Sequence, residues 1–418
     1  MADSRSTNVV IAGGGPAGMM CGYLLARAGV EVIVLEKHAD FLRDFRGDTV
    51  HPSTLEVITE LGLIDDFLKV PHQEVGHLHV EIGSRKFTAG DFTHLPTHCK
   101  FIALMPQWDF LSFLADKAKA LPRFHLMMKT KATDLIEASG EVAGLRAESE
   151  SGPVEIRAGL VIGADGRHST VREKSGLPLR EFGVPIDVIW LKLPLEPSDP
   201  TEPVARIAAG RFFIMLYRGD YWQCAVVVPK GKFEEIKREG IEAFHKRLSS
   251  IAGFAADRVG AIKTFDDVSV LTVTVDRLTQ WARPGLLCIG DAAHAMSPVG
   301  GVGINIAIQD AVATANLLWR ALLAGRPSLA ELNRVQARRE WPVRLTQAVQ
   351  VLIQNNIVAP TLLSAGELKP PLVVKLLDAV PFLQRIPARA VGLGVRPEHV
   401  SPELLRATLS STSRDRST

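Results

Sequence analysis

The chain has 418 residues, 46% hydrophobic and 22% charged, with a formal net charge of +2. That length implies two or three folding units, since domains usually run to about 100–200 residues. The balance excludes a disordered chain, and so small a charge with no long basic run gives no basis for nucleic-acid binding.

Four scattered cysteines (Cys21, Cys99, Cys224 and Cys288) form no Cys-x-x-Cys pair. That speaks against a zinc site or a disulfide framework and suits a reducing cytoplasm. The opening residues MADSRSTNVV lack the apolar core of a secretion signal. The segment from Val9 to Ala26 is uncharged and long enough to suggest a membrane helix, but Gly13, Gly14, Gly15 and Pro16 interrupt it. A buried strand, a turn and a buried helix explain it better.

In chain order, Asn8–Ala12 reads as a buried parallel strand, Pro16–Ala28 as a helix stopped by Gly29, and Val30–Leu35 as a second buried strand ending at Glu36. Pro52–Leu63 suits a helix. From about His72 to Lys100 short alternating segments such as His77–Ile82 suit a half-exposed antiparallel sheet. Pro106–Ala120 reads as a helix, and residues 123–162 as strands and hairpins. Val204–Ile207, Phe212–Tyr217 and Trp222–Val228 are further strands, with one helix near Phe233–Ile251. Gly285–Ile289 is a buried strand before a helix reaching about Leu323, and Trp341–Ala407 is apolar and helical in places.

Three motifs carry chemistry. Gly13-Gly14-Gly15-Pro16-Ala17-Gly18 matches Gly-x-Gly-x-x-Gly between a strand and a helix. The first glycine makes the turn, the second admits a pyrophosphate, and the third lets helix and strand pack closely. The helix N-terminus offers free N–H groups to the anion. Glu36 lies 23 residues beyond Gly13, where a carboxylate meets adenosine ribose hydroxyls. These residues establish a dinucleotide site without separating FAD from NAD. The second motif is Gly163-Ala-Asp165-Gly166 through Arg172. The third is Gly290-Asp291-Ala-Ala-His294 through Pro298, Gly300, Gly301, Gly303 and Asn305, with Asp310 beyond. It sets an acid at a strand's carboxyl end before a glycine-rich helix entry.

In this order and at these distances, over about residues 8–320, the motifs resemble the class A flavoprotein monooxygenases, the p-hydroxybenzoate hydroxylase-like group. The resemblance implies FAD as cofactor and NAD(P)H as a transient cosubstrate. It also implies O2 and an aromatic or other electron-rich small molecule, hydroxylated or epoxidised through a flavin C4a-hydroperoxide. It assigns Gly13, Gly15, Pro16, Ala17 and Gly18 to the pyrophosphate, Glu36 with neighbouring Lys37 to the adenosine ribose, and Arg46 to the pyrophosphate. Gln107 would contact FAD, Asp165 would support the cofactor groove, and Asp291 would bind the ribitol. Pro298 would lie beside the flavin ring, and the backbone of Gly301, Val302 and Gly303 would face its N1 and O2 edge. Each polar residue also has a plain structural alternative: a helix cap for Asp291 and Gln107, a surface ion pair for Arg46, a turn for Asp165.

The implied fold is α/β: a Rossmann-like FAD-binding domain (1–74, 101–176 and 276–340), an inserted, mainly antiparallel β-sheet substrate domain (75–100 and 177–275), and a helical C-terminal region (341–418). Tyr217, Trp222 and Gln223 fall where related enzymes place substrate contacts. Gln223 stands where the p-hydroxybenzoate enzymes carry an arginine for the substrate carboxylate, which speaks against a benzoate. No catalytic residue is assigned. The histidines His72, His77, His79, His94 and His98 read as a solvated sheet face, without metal-ligand spacing. Leu362–Leu383 reads as cover over the main domains, with a membrane or a second subunit, a homodimer included, as the alternative. A flavin-dependent reductase and a non-catalytic ligand-binding protein are the competing functions.

Overall fold

The computed structural model describes residues 3–42, 49–364, 366 and 368–407. Its larger sheet has a parallel centre, with strands in the order Leu286–Cys288, Gly152–Gly163, Asp3–Ala12, Val32–Leu35, Phe124–Met127. Val9 to Ala12 are fully buried, as expected of a parallel strand covered on both faces. The helix Pro16–Arg27 covers it from one side and packs on the long helix Gly303–Ala324. An antiparallel hairpin, Lys131–Ala138 and Glu141–Ser149, extends the strand Gly152–Gly163.

In register, Ala12 lies beside Leu35 and Gly163, and Gly163 beside Cys288. Four neighbouring strands therefore end at one level. Gly13, Glu36, Ala164 and Gly290 stand at or just past their carboxyl ends, the crevice where open α/β sheets take ligands.

The second sheet has seven strands, in the order Ser269–Leu271, Ile186–Pro194, Tyr221–Pro229, Arg211–Tyr217, Val204–Ala208, His77–Ile82, Arg85–Asp91. It is antiparallel except where Val204–Ala208 runs parallel to His77–Ile82. The helix expected over Phe233–Ile251 is two, Phe233–Glu239 and Ile241–Ala252, because Gly240 takes a φ of 91° and breaks the ladder. These helices cover one face of the sheet, over Phe213, Met215, Trp222 and Cys224.

The helix Leu329–Ile353 starts at Ser328, whose side chain forms a capping box with Glu331. It runs unbroken across residue 340, where the C-terminal region was expected to begin. Among the described residues no helix is long and apolar enough to cross a membrane. All four cysteines are free and buried, and burial pushes their thiols up.

Candidate flavin site

The three motifs are far apart in sequence and touch in space. Gly13, at φ 106°, has no room for a side chain: a Cβ there would lie 2.3 Å from Ala164 O. At Gly18 it would lie 1.9 Å from Gly13 O. At Gly290 a Cβ would come within 3.0 Å of the Ala17 Cβ. Gly15 differs, since a Cβ there would meet no protein atom within 4 Å. Gly13 and Gly18 are thus required by the protein's own packing. Gly15, the N-cap of the helix Pro16–Arg27, presents a bare backbone face of the kind a pyrophosphate needs. FAD fits this cradle.

Glu36 is buried at the end of its strand. Its Oε2 accepts from Gly14 N (3.2 Å) and its Oε1 from His38 N (3.0 Å), which fixes the carboxylate beside the glycine loop. Lys37 is exposed. Arg46 lies outside the described residues.

Asp165 accepts from the Ser169 hydroxyl and from Val171 N (3.2 Å). Burial raises its carboxyl pKa against those bonds. The side chain therefore orders its own loop, which abuts Gly13. Arg167 reaches from the same loop to Asp291 Oδ2 (3.4 Å), and Arg172 to Asp276 (3.3 Å). Asp291 stays partly exposed at the carboxyl end of Leu286–Cys288.

The segment from Pro298 to Gly303 is held from both sides. Gly300 and Gly301 take φ of 82° and 62°, which only glycine adopts readily. Thr49 Oγ donates to Gly301 O (2.8 Å). Asn305 Oδ1 accepts from His51 N (2.9 Å) and Thr54 Oγ (2.7 Å). Val302 is buried, while Pro298 and Gly303 are half-exposed at the entry to the helix Gly303–Ala324. Gln107 is half-buried at the start of the helix Gln107–Lys119.

Behind this segment lies a cluster of which sequence reading named only His294 and Asp310, as parts of the third motif, and missed Arg339 and Glu398. Asp310, fully buried, accepts from Gly290 N (3.0 Å), His294 Nε2 (2.6 Å) and Arg339 Nε (2.9 Å). Burial alone would raise its pKa, but His294 and Arg339 hold it below the usual carboxylate range. Arg339, also fully buried, further donates to Gln309 Oε1 (3.0 Å), Arg396 O (3.2 Å) and Glu398 (3.3 Å). His51 is a second omission. Its ring is fully buried, Nδ1 lies 2.8 Å from Val391 O, and burial pushes its pKa down to about 4.

The substrate-side expectations need correction. Trp222 is fully buried, donates from Nε1 to Asp199 (2.8 Å), and belongs to the core under the helices. Tyr217 packs edge-on against it at 5.8 Å. Strand alternation puts Gln223 on the opposite face. There its Oε1 accepts from Arg218 Nε (3.0 Å). Leu216, its cross-strand neighbour, packs with Phe92 and Leu104, on the segment leading to Gln107. Asp109, in that helix's first turn, feels Arg218: burial raises its pKa and the guanidinium opposes the rise. The face of Gln223 and Arg218, with Gln223 itself buried, thus packs toward Leu104 and the helix Gln107–Lys119, whereas that of Trp222 packs under the two helices.

His77 and His94 flank Asp91 at 3.5 and 3.4 Å. Among the described residues no group of three or more His, Cys, Asp or Glu is placed to hold a metal.

A parallel sheet with converging glycine, acid and helix-entry motifs defines a dinucleotide-binding flavoprotein. A family model described as an FAD binding domain matches residues 6–345. The chain is 32% identical to a 6-methylpretetramide 4-monooxygenase of Streptomyces rimosus over 369 residues, 87% of this chain and 88% of the relative. It is 26% identical to a probable NADH-specific resorcinol 4-hydroxylase of Rhodococcus jostii, covering 99% of this chain and 77% of that one. An anhydrotetracycline hydroxylase structure from Streptomyces rimosus superposes with a TM-score of 0.72 at 25% identity, over 94% of this chain and 77% of that one. The chain belongs to the class A FAD-dependent aromatic monooxygenase family, and FAD is its cofactor.

Proposed function

We propose that this protein hydroxylates a phenolic or otherwise electron-rich aromatic small molecule, with O2 and a reduced nicotinamide, in the cytoplasm. The observation that carries the reading is the convergence of the three motifs at the carboxyl ends of neighbouring parallel strands, joined to the family match. The names of the relatives, one of them an NADH-specific hydroxylase, support an aromatic substrate and a nicotinamide donor.

In this reading Gly13, Gly15 and Gly18, with Pro16 and Ala17 at the helix entry, hold the pyrophosphate. Glu36 takes the adenosine ribose, with Lys37 beside it, and Arg46 and Gln107 add polar contacts. Asp291 binds the ribitol, and Asp165 keeps its loop against Gly13. Pro298 and the backbone of Gly301, Val302 and Gly303 border the ring. FAD, when bound, supplies the electron transfer and oxygen activation. The N-terminus of the helix Gly303–Ala324 stabilises negative charge at that border. Gln223 and Arg218 orient the substrate, and the apolar contacts of Leu216 help to exclude water. The division into 1–74, 101–176 and 276–340, 75–100 and 177–275, and 341–418 is part of the same proposal.

The test is NADH and NADPH oxidation by FAD-loaded protein over a panel of aromatic compounds, with mass spectrometry of the products. The reading expects stimulation by a phenolic compound and the gain of one oxygen atom. FAD binding without stimulation by any compound would favour a ligand-binding protein. Anaerobic turnover would favour a reductase.

A further inference from the structure

The C-terminal region both covers and exposes. Ala388, Leu393, Val400 and Leu404 are buried, in line with a covering role. The helix Leu372–Ala379, of sequence LVVKLLDA, does the opposite and buries no residue at all. Leu372 is 83% exposed, Leu363 78%, Phe382 65% and Ile386 63%, with Val373 and Leu376 also open. A run of large apolar side chains this exposed marks an interaction site rather than a scattering of surface residues.

The charge around the run selects its occupant. Residues 363–392 carry Lys369, Lys375, Arg385 and Arg389 against two carboxylates, Glu367 and Asp378. The four cations are exposed, whereas Asp378 accepts a hydrogen bond from Thr88 N (3.1 Å). Arg385 lies over the Phe382 ring at 5.1 Å, an arrangement in which an aromatic can enter an apolar layer while the cation stays at its polar edge. A two-fold contact with a second copy would set this patch against itself, and so cations against cations. An anionic lipid surface satisfies both the apolar side chains and the charges.

We propose that the face formed by Leu372–Ala379 and Phe382–Arg389 docks on an anionic membrane surface. The contact is interfacial, with no segment crossing the bilayer. It places the protein where apolar aromatic compounds partition.

The experiment is co-sedimentation of the full FAD-loaded chain with phosphatidylcholine vesicles, with and without phosphatidylglycerol, at low and high salt. The proposal expects pelleting with the anionic vesicles alone and a decrease with salt. The variant Leu372→Ser/Phe382→Ser should bind at least roughly tenfold more weakly. Lys375→Glu/Arg385→Glu should lose binding while keeping the apolar side chains. FAD content and basal NADH oxidation report folding and stay unchanged in both. Absence of pelleting with anionic vesicles overturns the proposal, as does equal binding to neutral ones. A dimer in sedimentation equilibrium that the Leu372→Ser/Phe382→Ser variant converts to monomer assigns the face to a second copy and also overturns it.

Discussion

Replacing Arg339 with methionine tests the buried cluster behind the flavin segment. The side-chain volume is largely kept, so packing loss is small and the electrostatic effect dominates. The guanidinium bonds Asp310 at 2.9 Å, Gln309 at 3.0 Å and Glu398 at 3.3 Å, with no exposed surface. Its removal leaves Asp310 with His294 and Gly290 N, and Glu398 with Arg338 at 2.7 Å. Breaking a buried pair by removing one partner costs about 3–5 kcal/mol. For a chain of 418 residues, with an unfolding entropy of about 2.1 cal/mol/K per residue, that corresponds to a fall in Tm of roughly 3–6 °C. Thermal unfolding of the FAD-saturated protein measures it. Because Asp310 also fixes Gly290 N, FAD affinity falls with stability. Adding Asp310→Asn should cost less than the sum of the single changes, since no charge is then stranded. A loss under about 1 kcal/mol, or full additivity of the two changes, refutes the reasoning.

Gly15→Ala should leave the apoprotein's Tm unchanged, because its Cβ meets no protein atom within 4 Å, yet weaken FAD binding at least tenfold (~1.4 kcal/mol) in a fluorescence titration. Gly18→Ala, whose Cβ would strike Gly13 O at 1.9 Å, should lower apoprotein stability as well. Trp222→Ala should cost about 3–5 kcal/mol in denaturant unfolding as a core truncation; Gln223→Ala, at a buried side chain bonded to Arg218 (3.0 Å), should cost about 1–3 kcal/mol and also raise KM for the aromatic substrate. His51 has its folded pKa depressed to about 4. The unfolded chain therefore binds the extra proton first as pH falls below the ordinary histidine value, and stability drops through that window until the native ring also protonates near pH 4. The whole loss is about 3 kcal/mol, and His51→Leu should flatten the pH–stability profile over that range.

The flavin site was legible wherever its chemistry depends on local sequence. The glycine loop, Glu36 at the end of its strand, and Gly290-Asp291 each follow an apolar β-branched or leucine-rich strand within a few residues. The register then brings those strand ends level. Asp310 stood in the third motif, but the cluster it forms with Arg339 and Glu398 could not be read that way. Its members are 29 and 59 residues apart and share no periodic pattern, and a buried arginine looks like any other in sequence. The expectation that Tyr217, Trp222 and Gln223 all contact substrate meets a different difficulty. Alternation separates two faces of the strand Tyr221–Pro229, but Trp222 and Cys224 on one are as apolar as Ala225 and Val227 on the other. Both faces are buried and only the packing tells them apart: helices cover Trp222, whereas Ala225 and Val227 cluster with Val358 and Leu362. Gly240 likewise breaks a helical pattern that runs on apolar spacing through Phe233–Ile251.

The most direct test of the account is turnover in isotopically labelled O2. With FAD, NADH and the phenolic compound that best stimulates oxidation, the account predicts a product carrying one labelled oxygen atom. A product whose new oxygen comes from water, or substrate-stimulated turnover with no oxygen gained, contradicts it.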